Sequence, residues 1–262
     1  MSRLPVTVSI ICLNEEETIA NAIQSVAWAD EVIVVDSGST DRTQEIARQL
    51  KAKVIENAWP GYGQQKNFAQ SQASHDWVLN LDADEIVPPE LAKEIQEALV
   101  QVSEGKLSAD GFSFPRKTFY IGRWIRHGGW YPNILTRLVN RKKAVWTQPN
   151  VHEQLQVTGP ILQLNSPLQH YAFTSIHDQI ITNLRFSRLG AKDLKEKGQK
   201  FSLFKLIVKP LGKFIETYFL KKGFLDGLPG FIISINAAHS MFLKYAFLSE
   251  TQLKDENPDY RQ

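Results

Sequence analysis

Over the first hundred residues, short apolar runs alternate with segments whose apolar positions recur every three to four residues. Val6-Thr-Val-Ser-Ile-Ile is β-branched and continuous, the pattern of a strand buried on both faces. Asn14 and Glu17 then resemble a capping box. Ile19, Ala22, Ile23, Val26 and Ala27 follow at helical spacing. Glu31-Val-Ile-Val-Val-Asp36 predicts a second buried strand ending in an acid, and Ser37-Gly-Ser-Thr a turn. Asp41 is placed to cap a helix whose apolar face is Ile46, Ala47 and Leu50. Val54-Ile55 predicts a short third strand, and a helical pattern over 66–73 leads into a fourth, Trp77-Val-Leu-Asn-Leu-Asp82. This alternation is the signature of an α/β protein with a doubly wound, mostly parallel sheet and right-handed crossovers.

Further along, Leu91, Ile95, Leu99 and Val102 predict an amphipathic helix, and the pattern then turns to short strands at 111–114, 117–121 and 134–139. Gly128-Gly129 permits a tight turn. A helix is predicted over 179–196. In 201–220, Phe204, Ile207, Val208, Leu211, Ile215 and Phe219 share one side, with Lys205, Lys209 and Lys213 in a stripe beside them. Such a basic amphipathic stretch suits an anionic membrane surface. It equally suits a helix packed on the rest of the chain with its lysines in water. Pro210 is expected to kink or split it. The 225–248 stretch is nearly long enough to span a bilayer. Asn236, His239 and Lys244 make a single span costly, so a helix in the interface or packed on its predecessor is expected. From Thr251 the chain is polar and expected to be disordered.

Composition changes the picture in two respects. With 43% hydrophobic and 22% charged residues, the 262-residue chain can bury a core as one large domain or two small ones. Its single cysteine, Cys12, excludes an internal disulfide and fits a reducing compartment. No cleavable signal pattern precedes the first strand. The net charge of +2 conceals an asymmetry: residues 1–110 are net −10, 111–182 net +6, 183–222 net +8 and 223–262 net −2. A basic second half can face nucleic acid, anionic lipid or a phosphorylated substrate. Zinc-ligand spacing and RNA-binding aromatic signatures are missing, so nucleic acid is not expected as a partner.

Candidate chemistry gathers at the predicted strand ends. Asp82 and Asp84 stand where the fourth strand emerges, and open α/β sheets bind ligands beyond such ends. Two hard oxygen donors suit Mg²⁺ or Mn²⁺ shared with substrate phosphates. They equally suit an acidic turn before a helix opened by Pro88-Pro89. Asn14 and Asp36 fall at neighbouring ends, and each is also a ready helix cap. Neither Gly-x-Gly-x-x-Gly after the first strand nor Gly-Lys-Ser/Thr occurs, which argues against the usual dinucleotide fold and a P-loop. Trp124, Trp130, Tyr131 and Trp146 are candidates for stacking on sugar faces or for ordinary core.

Val8-Ser-Ile-Ile-Cys-Leu-Asn-Glu-Glu, Val34-Val-Asp-Ser-Gly-Ser-Thr-Asp-Arg-Thr, Gln65-Lys-Asn and Leu81-Asp-Ala-Asp-Glu, in that order, resemble glycosyltransferase family 2. Gly128-Gly-Trp-Tyr-Pro, Arg137-Leu-Val-Asn-Arg and Val151-His-Glu look like its subgroup of lipopolysaccharide-core glucosyltransferases. The resemblance implies a GT-A fold and an inverting hexosyl transfer from a nucleotide sugar. It implies a catalytic domain over 1–175, divided into a nucleotide-sugar half (1–110) and an acceptor half (111–175). A helical, membrane-associating extension over 176–250 and a polar tail over 251–262 would follow.

By the same resemblance Asp36 hydrogen-bonds the nucleobase, commonly uracil. Ser9 to Leu13, with Asn14 and Glu15 or Glu16, lines the nucleoside, and Lys66 reaches the base or diphosphate. Asp82 and Ala83 lie by the ribose. Asp82 and Asp84 are implied as ligands of Mn²⁺ or Mg²⁺, and His170, in Gln169-His-Tyr, is a candidate for the third beside His152. Inverting transfer needs a general base. Many relatives supply it from an acidic pair after the central sheet, yet 111–150 holds no such pair. Glu153, the sole acid between Asp110 and Asp178, is the expected base, with Glu85 next. His152 is a polar contact or metal ligand, and Trp130, Tyr131 and His152 are the expected acceptor contacts. The expected activity is metal-dependent transfer from a UDP-sugar to a lipid-linked saccharide such as lipopolysaccharide core. It would take place peripherally, at the cytoplasmic face of the inner membrane. A protein acceptor, or a noncatalytic nucleotide-sugar-binding module, is the alternative.

Overall fold

The computed structural model describes residues 3–147 and 154–257. The chain divides into two compact units, Met1–Lys117 with Asn133–Tyr171, and Thr118–Pro132 with Ala172–Gln262. The segment Thr118–Pro132, expected in the acceptor half, thus clusters with the helical C-terminal part.

In chain order the strands are β1 (Val6–Cys12), β2 (Glu31–Asp36), β3 (Lys53–Glu56), β4 (Trp77–Asp82), β5 (Glu85–Ile86), β6 (Gly111–Tyr120), β7 (Arg123–Trp124), β8 (Asn133–Asn140), β9 (Ala144–Trp146), β10 (Leu155–Val157), β11 (Ile161–Gln163) and β12 (Leu168–His170). The helices are α1 (Ile19–Ser25), α2 (Thr43–Gln49), α3 (Tyr62–Ser71), α4 (Pro89–Ser103), α5 (Ile176–Glu196), α6 (Leu203–Ile215) and α7 (Gly227–Glu256).

In the first unit β3, β2, β1 and β4 pair in parallel, and the order continues through β8, β6 and β12 to β5. Beyond β4 the sheet becomes mixed: β4–β8, β8–β6 and β12–β5 are antiparallel, while β11 lies parallel to β6. The register sets Cys12 opposite Asp36 and Ile11 opposite Asp82, so the acidic strand ends share one edge.

Strand alternation divides the core between two faces. Val6, Val8, Ile10, Leu79 and Leu81 pack with Ile19 and Ile23 of α1 and Leu91, Ile95 and Leu99 of α4. Ile33, Val35 and Val78 pack with Ala69 and Ala73 around α3. With both faces covered, the strands are largely apolar, which is why they read as near-continuous runs, and the buried Thr7, Ser9 and Asn80 are the polar positions within them.

Local details differ from expectation. Asn14 and Glu17 form no capping box. Asn14 takes a left-handed conformation (φ 55°) and its Oδ1 accepts the Thr40 N–H at 2.8 Å, while α1 starts at Ile19 without a side-chain cap. The two strands expected over 111–121 are one, β6, with an irregularity between Phe112 and Ser113.

The second unit combines the hairpin of β6 and β7 with three helices. Tyr120 and Ile125 are packed against Ile233 of α7. Asp226 is fully buried and accepts the N–H groups of Arg126 (3.1 Å) and His127 (2.7 Å). Pro210 lies within α6 without splitting it, since a proline removes one helical donor and α6 keeps the bonds on either side. The irregularity comes later, as a π-helical turn at Glu216–Leu220 and a 3₁₀ turn at Gly223–Asp226. The disorder expected from Thr251 is replaced by helix up to Glu256. Gln252 accepts the Phe201 N–H and donates to the Gln199 carbonyl, and Asp255 pairs with Lys195. These partners come from distant sequence and tie the polar tail down.

Candidate nucleotide-sugar site

The edge where β1, β2 and β4 end holds most of the expected residues. Asp36 closes β2. Its Oδ1 accepts the N–H groups of Gly38 (2.9 Å) and Ser39 (2.8 Å) and the Gln44 amide (2.8 Å), and its Oδ2 accepts the Ser39 hydroxyl. Burial pushes its carboxyl up, but the Ser39, Gln44 and Gly38 donors outweigh this and hold it below the usual range. Asp36 is fully buried, and its described contacts tie the 37–40 loop to Gln44 of α2 and Cys12 of β1. The same loop is held from the other side by Asn14, with Leu13 exposed at the mouth.

Ser9, expected to line the nucleoside, points into the sheet interior. It is buried, and its hydroxyl lies 3.4 Å from Asn80 Oδ1. Mid-strand alternation, rather than the strand end, sets its direction. Glu16 sits on the exposed side of the rim and accepts the Arg42 N–H at 3.1 Å. Glu15 accepts the Thr18 hydroxyl at 2.6 Å. Burial raises the Glu15 carboxyl above its ordinary value, and the nearby Asp84 charge adds to the rise.

At the end of β4 a buried charge network appears. Arg137 of β8 donates to Asp82 Oδ2 (2.6 Å) and Glu85 Oε1 (2.8 Å), Arg116 donates to Glu85 Oε1 (2.9 Å), and Glu85 Oε2 accepts the Asp82 N–H (3.0 Å). Lys66 of α3 lies 3.2 Å from Asp82 Oδ1 and 4.6 Å from the centre of the Trp146 ring. Burial would raise the Asp82 carboxyl, yet the charges of Arg137 and Lys66 hold it far below the ordinary range. The Nε atoms of Arg116 and Arg137 are buried without a hydrogen-bond partner. Glu85 is fully buried between two guanidiniums and is therefore unsuited to act as the alternative base.

Ala83 is buried between these acids, and Asp84 faces outward. The backbone of Asp84 accepts the Tyr171 N–H at 2.9 Å, and its Oδ2 lies 3.2 Å from His170 Nε2. Pairing of β12 with β5 sets His170 opposite Glu85 and so delivers the imidazole. A cleft of about 210 Å³ opens here, lined by Thr18, Asn21, Ala83, Asp84, Ile86 and Tyr171. Of the three expected metal ligands the structure unites Asp84 and His170. Among the described residues no group of three His, Cys, Asp or Glu side chains is placed to hold a metal ion. Asp82 is the one held back, its two oxygens occupied by Arg137 and Lys66. A carboxylate oxygen and an imidazole nitrogen fit Mn²⁺ or Mg²⁺ when diphosphate oxygens and water complete the shell.

The expected base Glu153 and its neighbour His152 lie outside the described residues. Trp146 proves to be core, its Nε1 donating to Asn80 at 3.2 Å. Trp124 packs edge-on against Phe119. Trp130 is half-buried against Tyr120 and Phe173 in the second unit, where Tyr131 precedes a cis Pro132. Arg137 and Arg116 are site residues for which no role was expected, and Glu85, expected as the second candidate base, is instead their buried counter-ion. The available signal was an arginine inside the mostly apolar run Leu135-Thr-Arg-Leu-Val139.

Residues 7–152 match the family model described as Glycosyl transferase family 2. A Rickettsia conorii protein named as an uncharacterized glycosyltransferase is 37% identical over 97% of this chain and 94% of its own. The lipopolysaccharide core biosynthesis glycosyltransferase LpsC of Rhizobium meliloti is 30% identical over 96% of this chain and 92% of its own. A crystal structure of glucosyl-3-phosphoglycerate synthase from Mycobacterium tuberculosis, with Mn²⁺, UDP and glucosyl-3-phosphoglycerate, aligns at a TM-score of 0.49 and 20% identity. The alignment covers 76% of this chain and 82% of that one.

Proposed function

The chain belongs to glycosyltransferase family 2 and has its GT-A fold, and on that premise we propose an inverting transfer of a hexose from a UDP-sugar to a lipid-linked saccharide such as lipopolysaccharide core. The observation that carries this reading is the Asp84–His170 pair, 3.2 Å apart on the rim of the cleft, beside the Asp82–Lys66 pair.

The charges argue for the donor. Lys66, Arg116 and Arg137 offset Asp82 and Glu85, so the negative charge of the rim rests with Asp84 and its neighbour Glu15, and with Glu16 on its exposed side. A diphosphate would be repelled there unless a divalent cation intervened. Asp84 Oδ2 and His170 Nε2 would hold Mn²⁺ or Mg²⁺, which when bound neutralises the diphosphate leaving group. Leu13, Asn14, Glu16 and the 37–40 loop form the nucleoside side. Asp36 serves the base at that loop, Ser9 supports it from within the sheet, and Asp82 and Ala83 approach the ribose.

Glu153 takes the proton of the acceptor hydroxyl, whose oxygen then attacks the anomeric carbon opposite the diphosphate. As the new C–O bond forms, the bond to the diphosphate oxygen breaks, and configuration inverts. His152, Trp130 and Tyr131 contact the acceptor. The lipid-linked acceptor is supported by the match to LpsC along nearly its full length. With such an acceptor the protein would act peripherally, at the cytoplasmic face of the inner membrane.

A donor screen tests the reading: UDP- and GDP-sugars with Mn²⁺, scored for sugar release and for protection against heat. UDP-sugars should both turn over and protect. Neither effect with any donor would remove the enzyme reading.

A further inference from the structure

We infer that the outward face of α6, continued through the π and 3₁₀ turns onto the start of α7, inserts in plane into an anionic lipid bilayer. The inference rests on the lipid-linked acceptor reading for its purpose, but not for its physical basis. Leu203, Phe204, Ile207, Val208, Leu211 and Ile215 are exposed by 63, 72, 54, 42, 61 and 50%. At 3.6 residues per turn they occupy about 140° of the helix circumference. No residue of α6 is fully buried, and Leu206 lies on another face, packed against the Ala191–Tyr245–Leu248 cluster. The helix therefore turns its apolar arc away from the protein, the opposite of a helix packed on it with wet lysines.

The arc continues without interruption. Phe214 contacts Phe219 and Phe231, and Tyr218 contacts Phe219, Phe224 and Phe231, joining the turns to α7. Leu220 and Leu228, exposed by 74 and 68%, extend the same stretch. An apolar surface of this size on a water-soluble face marks an interaction site.

Charge identifies the occupant. Residues 200–222 carry six lysines and one acid, Glu216, which pairs with Lys213 and Lys221. A symmetric contact with a second copy would set this net +5 strip against itself. An anionic leaflet instead gains from each lysine near its surface. Lys205, at about 200° from Leu203, borders the apolar arc, where a long side chain reaches headgroups while its neighbours insert, and Lys209, at about 240°, lies behind the arc and adds its charge to the local field.

The geometry also separates insertion in plane from a span. The helical segment Gly223–Asp255 is long and apolar enough to cross a bilayer. Its Asn236 is bound to Gln179 of α5, and its Ser240 meets Ser187 of the same helix. A crossing would break these contacts or draw in α5 with Arg185, Arg188 and Lys192.

Vesicle flotation of the full chain, without donor, tests the inference. Wild type should float with phosphatidylglycerol vesicles, several-fold less at about 0.5 M salt but still measurably, because salt screens only the charge component. Lys205→Glu with Lys209→Glu should lower the anionic preference about tenfold or more. Phe204→Ser with Ile207→Ser and Leu211→Ser should lower partitioning about 100-fold or more, with the circular dichroism melt unchanged because these side chains are already solvent-exposed. Flotation of the apolar variant at the wild-type level would overturn the inference. So would a wild type that ignores vesicles but dimerises through these three residues, as read by light scattering. A Ser249→Cys variant should be labelled by an impermeant maleimide added outside the vesicles; protection would mean a span. Asp84→Asn should float like wild type, so lost transfer with intact flotation counts against the activity alone, and the converse against this surface alone.

Discussion

One guanidinium, Arg137, lies 2.6 Å from Asp82 and 2.8 Å from Glu85, tying the last residue of β4 to the first of β5. Both carboxylates are held by a cation from a strand more than fifty positions away in sequence, and Arg137 itself is buried. Removing one partner of a buried network leaves uncompensated charge. Arg137→Met should therefore lower the unfolding free energy by about 3–5 kcal/mol, read as a fall in the urea midpoint. A midpoint within error of wild type would show the network to be energetically idle.

The same network predicts an acid branch of stability. The folded Asp82 carboxyl is held below its unfolded value of 3.8. Its contribution is therefore complete above that value and is lost as pH falls below it. Asp82→Asn should flatten the stability profile below about pH 4 relative to wild type. Parallel profiles for the two proteins would place the acid sensitivity elsewhere.

Asp84→Asn and His170→Ala each remove one of the two donors at the cleft. Each should weaken Mn²⁺-dependent UDP binding at least about tenfold, about 1.4 kcal/mol, and Asp84→Asn should also abolish turnover. Calorimetry with and without Mn²⁺ checks this. Affinity equal to wild type in both conditions would dismiss the pair as metal ligands.

Asp36 accepts five described donors when the Cys12 thiol at 3.4 Å is included. Asp36→Ala should cost about 1–3 kcal/mol in UDP affinity, the range for hydrogen bonds to a charged group. Because those donors belong to the 37–40 loop and its surroundings, thermal stability should fall as well. A loss of stability with unchanged affinity would make Asp36 purely structural.

Glu153→Gln keeps shape and removes proton acceptance. Turnover should fall roughly 10²–10⁴-fold with donor binding intact. Since Glu85 is sealed between Arg116 and Arg137, it is not expected to take over. An active variant would turn attention to Glu15, the acid beside Asp84 whose carboxyl burial raises above its ordinary value.

The order of strands and helices was legible in the sequence because it is written in local periodicity. Val6 to Ile11, Glu31 to Asp36 and Trp77 to Asp82 are apolar on both sides, and a chain can bury both sides only inside a covered parallel sheet. The acids that close those runs were visible for the same reason, and Asp36, Asp82 and Asp84 do fall on one edge. What a side chain does there depended on partners from elsewhere in the chain. Periodicity could not say that Arg137 would occupy Asp82, that β12 would bring His170 to Asp84, or that Ser9 would turn inward toward Asn80. Nor could it choose which way α6 faces. The amphipathic pattern is identical whether Phe204 and Leu211 meet protein or solvent, and only the packing of Leu206 on the opposite side decided that they face out. Local sequence sets which residues share a face, because backbone geometry is local; what that face meets is set by contacts whose free energy exists only once distant segments have come together.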